Sequence, residues 1–107
     1  ALHQSQPQEA ERLFQTALAA NPRYKEALLG LGKAELALND PENALAPLRR
    51  AITLDPHYAQ AHYQLGNALA RLGRSAEAAK EHAISTHIQA HQQAVYTRRL
   101  NSIQPHR

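Results

Sequence analysis

A chain of 107 residues fits a single domain, and its 43 % apolar share is rich in Ala with five aromatic residues and no Trp. That composition favours closely spaced helices over a core built around large rings, and the absence of Cys excludes disulfides, thiolate metal sites and Cys nucleophiles while leaving the compartment open. The net charge of +3 sits wholly in residues 82–107, where Arg98, Arg99 and Arg107 face no acid, and this is too sparse for a nucleic-acid stripe.

In chain order, Ala1–Ser5 is short and polar apart from Leu2. Pro7 suits the first turn of a helix, and Ala10, Leu13, Phe14, Ala17 and Leu18 then make an amphipathic stripe that ends at Asn21-Pro22. A second helix is expected from about Tyr24 to Leu38, with Ala27, Leu31, Ala34 and Leu38 as its stripe and Leu28 and Gly32 beside it. Asn39-Asp40-Pro41 combines a left-handed stop, a cap and a first-turn proline. A third helix follows to about Thr53, carrying Ala44, Leu45, Leu48, Ala51 and Ile52, with a kink or loosened first turn expected at Pro47. The fourth, about Tyr58 to Leu72, repeats the second. Gly73 then turns the chain, Ser75 is the expected cap, and one long helix is expected from about Ala76 to Leu100.

These elements recur at a fixed spacing. Pro22 returns as Pro56, Tyr24 as Tyr58, Ala27 as Ala61, Leu31-Gly32 as Leu65-Gly66, Ala34 as Ala68, Leu38 as Leu72 and Ala44 as Ala78, each 34 residues on. A period of this length marks stacked supersecondary units. In this phase Leu28, Leu31-Gly32 and Glu35 lie on the first helix of one unit, and His62, Leu65-Gly66 and Leu69 on the first helix of the next. Ala44, Leu48, Ala51 and Pro56 mark a second helix, matched upstream by Ala10, Phe14, Ala17 and Pro22.

The pattern resembles the tetratricopeptide repeat family. The resemblance implies an all-α solenoid of helical hairpins, about two and a half repeats plus a long C-terminal helix. Residues 7–22 would be the second helix of an incomplete repeat, 23–56 and 57–90 full repeats, and 91–107 a helical extension and tail. His82, Ser85 and Ala90 depart from the family's large, small and proline residues, as a terminal repeat should. The half unit leaves Ala10, Leu13, Phe14 and Ala17 short of one cover, so the chain is expected to be a fragment of a longer protein or to be covered by another chain. The start at Ala1, without Met, also suggests an upstream segment.

Catalytic chemistry finds no footing in the sequence, and no enzyme activity is expected. Asp40 and Asp55 are explained as boundary residues, and Glu77 and Glu81 as surface glutamates on one helix face. No serine has a nucleophile-elbow context, and Gly30, Gly32, Gly66 and Gly73 belong to helix packing or ends rather than a phosphate loop. His87 and His91 share a helix face but have no third ligand nearby, so no metal or other cofactor is expected. His62 is expected in an inter-helix contact and His82 at a core edge. No apolar run is long enough to insert in a membrane.

In the family the first helices line a concave surface that accepts a peptide or helix. The resemblance therefore places the partner-binding groove on Glu26, Leu29 and Lys33 of the second helix and on Gln60, Tyr63, Gln64, Asn67 and Arg71 of the fourth. Lys33, Asn67 and Arg71 would hold a carboxylate or backbone carbonyls, with Tyr63 as an aromatic anchor. A protein or peptide partner is implied. The alternative is a set of terminal repeats that pack on the rest of a parent chain, or form a homo-oligomer through the N-terminal half-repeat or the C-terminal helix.

Overall fold

Four tight turns cut the chain into rods, and two kinds of turn alternate. At Asn21 and Asp55 the side chain accepts from the backbone two residues on, Arg23 N at 3.2 Å and His57 N at 3.1 Å, while the carbonyls accept from Tyr24 N and Tyr58 N. At Asn39 (φ 62°) and Gly73 (φ 78°) the backbone enters the left-handed region. There Asp40 N reaches back to Glu35 O and Arg74 N to Leu69 O, each at 2.9 Å, closing the same helix-terminating loop twice.

The computed structural model describes the backbone of residues 2–103 and the side chains of residues 6–102. Among these, five helices follow in order and there are no strands: α1 (Leu2–Ala20), α2 (Lys25–Ala37), α3 (Pro41–Leu54), α4 (Ala59–Arg71) and α5 (Ser75–Ile103). Consecutive helices pack antiparallel, and α2 also touches α4. The stack is elongated, 59 × 34 × 28 Å, as a linear array of hairpins requires.

Several local expectations are corrected. α1 starts at Leu2, so Pro7 lies in the second turn rather than the first. Its ring costs one backbone bond near the helix end, where few bonds remain to be lost. α3 runs as one helix from Pro41 to Leu54 through the buried Pro47; the carbonyl that loses its donor belongs to Asn43, which is exposed to solvent. Ser75 is the first residue of α5, not its cap, because Arg74 O already accepts from Ala78 N at 2.9 Å. Arg74 stands where Asp40 stands one repeat earlier, and it forks onto Glu77 at 2.7 and 2.8 Å. α5 runs unbroken past His91, since neither Pro nor Gly interrupts it.

The core runs through the stack from α2 to α5, with Leu28, Leu48 and Leu69 the largest fully buried side chains. Burial on α2 centres on Leu28 (1 % exposed), whereas Leu31 and Leu38 of the expected stripe are only half-buried. Helix α2 has neighbours on three sides, so its buried arc is wider than one stripe. A Cβ on Gly32 would come within 2.5 Å of Leu48, and one on Gly66 would overlap His82. Glycine at these two points is what lets each hairpin close.

Candidate protein-interaction surface

Helices α2 and α4 stand side by side because each is pinned by the helix that follows it and by the other. Arg71 Nη1 donates to Leu36 O at 2.7 Å, tying the end of α4 to the end of α2. Lys25 at the start of α2 donates to Asp55 Oδ2 at 2.5 Å and lies 5.0 Å from the Tyr58 ring centroid, tying the next turn to the same helix. The Lys25 hydrogen bond holds the Asp55 carboxyl below its ordinary range, against a smaller opposing effect of desolvation.

The expected groove residues separate into two groups. Glu26, Lys33, Gln60 and Tyr63 are exposed, and Gln64 is half-buried. Leu29 is 6 % exposed and belongs to the core cluster with Leu36 and Leu65, so it does not line an open surface. The Arg71 guanidinium is engaged with a backbone carbonyl, and the Asn67 amide is engaged on both sides. His82 Nε2 donates to Asn67 Oδ1 at 3.0 Å, and Asn67 Nδ2 donates to Gln64 Oε1 at 3.3 Å. Tyr63 leans on the same imidazole, ring centroids 5.3 Å apart and planes at 40°. Sequence reasoning could not foresee that three of the seven polar tips, Gln64, Asn67 and Arg71, already have partners within the chain.

His82 therefore acts from beneath the surface: it covers Gly66, orients Asn67 and props Tyr63. Tyr63 remains 51 % exposed, a supported ring whose far face is open. The other histidine on this seam was foreseen as an inter-helix contact, and its chemistry was not. His62 is 6 % exposed, with Nδ1 2.7 Å from Glu81 Oε1 and Nε2 2.9 Å from Pro56 O. The two ring nitrogens face acceptors on two different elements, α5 and the turn before α4. Glu81 is thus a half-buried tether of α5 to α4 rather than the surface glutamate expected. Among the described residues no group of three or more His, Asp or Glu could hold a metal ion, and no helix is long and apolar enough to cross a membrane.

A tetratricopeptide repeat family model matches residues 1–59 and 37–83. The chain belongs to the tetratricopeptide repeat family. Repeats of this family generally mediate protein–protein interaction and are generally non-catalytic. A stretch of 44 residues is 48 % identical to "Cellulose synthase operon protein C" of Escherichia coli (strain K12) and equally to "Putative cellulose synthase operon protein C" of Escherichia coli O157:H7. In each case the match covers 41 % of this chain and 4 % of the relative, so the chain spans a small part of their length. That stretch is little longer than the 34-residue period.

Proposed function

We propose that the chain is a non-catalytic interaction module, part of a longer repeat protein, whose concave face on α2 and α4 binds an extended or helical segment of a partner protein. The units divide as 7–22, 23–56, 57–90 and 91–107, with the groove on the first helices of the two full units. The observation that carries the reading is Tyr63, half exposed and held by His82 beside exposed Gln60, with Lys33 and Glu26 on the neighbouring helix. A rigid aromatic ring amid amide and charged tips can take an apolar side chain on its face while the rim hydrogen-bonds a peptide backbone. Lys33 supplies the free cation of this face, because Arg71 is held by Leu36 O.

The test is a selection from a displayed peptide library against the whole chain, followed by Tyr63→Ala and Lys33→Ala. Groove binding predicts that selected peptides lose at least about tenfold in affinity to Tyr63→Ala, with an unchanged melting temperature. Binders indifferent to both substitutions would place recognition elsewhere. A second reading, terminal repeats that pack on a parent chain or on a copy of themselves, draws support from exposed apolar side chains at both ends, Leu13 (58 %), Tyr96 (58 %) and Leu100 (39 %).

A further inference from the structure

Helix α1 carries a contact surface that the repeat uses twice elsewhere in this chain. On α5, Glu81 meets His62 and the next residue, His82, covers Gly66 of the same helix, α4. On α3 the equivalent pair is Pro47 and Leu48, both buried, with Leu48 covering Gly32 of α2. On α1 the pair is Leu13 and Phe14, 34 residues before Pro47 and Leu48. Here Leu13 is 58 % exposed, and Phe14 is half-buried with its ring turned onto Gly30 of α2. The difference extends along the helix: Ala44, Leu48 and Ala51 are 0 % exposed on α3, whereas Ala10, Phe14 and Ala17 on α1 are only half-buried.

The result is an open apolar groove of about 430 Å³ between α1 and α2, lined by Pro7, Ala10, Phe14, Gly30, Lys33 and Ala34. Shifted by one period, the same positions are Pro41, Ala44, Leu48, Gln64, Asn67 and Ala68. Helix α2 itself occupies that second groove, with Gly32 under Leu48 and the carbonyl of Leu36 on Arg71. The α1/α2 groove thus continues an interface already built within the chain, and that interface states what fits it.

We infer that the α1/α2 groove is a binding site for an amphipathic helix of the α2 kind, lying antiparallel to α1. The incoming helix presents a large apolar residue to Leu13 and, four residues later, a Gly to Phe14, as Leu28 and Gly32 do toward α3. Any side chain beyond glycine at the second position is disfavoured, because the ring or branched group covering it fills the space of a Cβ at Gly32 and Gly66. This site opens between α1 and α2, shares only Lys33 with the residues proposed for the concave face, and does not rest on that reading.

The experiment uses the whole 107-residue chain and a fluorescein-labelled peptide with the sequence of residues 22–39. Saturable binding is expected, weakened at least about tenfold when the peptide carries Gly32→Leu. The same loss is expected when the chain carries Leu13→Lys, a change at a solvent-facing position that should leave the chain's melting temperature intact. Tyr63→Ala in the chain should leave this binding unchanged, which separates it from the concave site. Absence of binding, or binding indifferent to Leu13→Lys and to the peptide's glycine, would overturn the assignment. Self-association of the chain that Leu13→Lys abolishes but excess peptide does not reverse would also overturn it, by giving the groove to a different face of a second copy.

Discussion

Close approach at single residues governs how these helices meet. Gly32 faces Leu48, which is fully buried and has no room to turn away, so a Cβ 2.5 Å from its branch must displace the helix. Overpacking of this kind costs about 1–3 kcal/mol against a helix-propensity gain of about 1 kcal/mol for replacing Gly. Gly32→Ala should therefore be destabilising in urea titration. Gly66→Ala should be milder, because half-exposed His82 can swing outward, but it should release Asn67 and loosen Tyr63. A charged contact gives a pH signature at the same scale. The Lys25 bond lowers the Asp55 carboxyl in the folded chain, so its stabilisation is complete above the ordinary carboxylate range and is lost as pH falls through the folded value. Lys25→Ala should flatten the acid limb of a melting temperature–pH profile. Both side chains are about one-third exposed, which keeps the effect small.

Between elements, α4 and α5 are held by a polar tether where α2 and α3 have an apolar one. His62 and Glu81 occupy the positions that Leu28 and Pro47 hold one period earlier. His62→Leu leaves Glu81, 21 % exposed, facing an apolar side chain, whereas His62→Leu with Glu81→Leu rebuilds an apolar pair. The double variant should be more stable than the sum of the single ones predicts, with a coupling of roughly 0.5–3 kcal/mol measured by urea unfolding of all four proteins. The sequence placed His62 in an inter-helix contact but left Glu81 as a surface glutamate. It could not announce the His62–Glu81 hydrogen bond, since Glu81 lies 19 residues from His62 and nothing in its own helix marks it as different from exposed Glu77.

For the molecule as a whole, linear stacking means each helix has only its neighbours to hold it. The middle helices α2, α3 and α4 touch helices on both sides, whereas α1 touches only α2 and α5 only α4 among the described helices. Past Ile88, α5 has half-buried Val95 and otherwise exposed side chains through residue 102. Hydrogen exchange should accordingly be fastest in the distal half of α5 and in α1, and slowest in α2 to α4. Equal protection across all five helices would contradict this ordering. The same openness at α1 makes the N-terminal end a place where another helix can join the stack.

What the sequence determined by itself was periodic: helix type, turn positions and the glycines at crossing points. Those properties depend on residues within a few positions or one period of each other, so a single chain displays them directly. Only the tertiary structure decided which polar tips of the expected groove remain free. Arg71 is taken by a carbonyl 35 residues away, Asn67 by His82, and Leu29 by the core, because α2 is enclosed on three sides. A side chain's availability depends on what folds against it, and no local pattern records that.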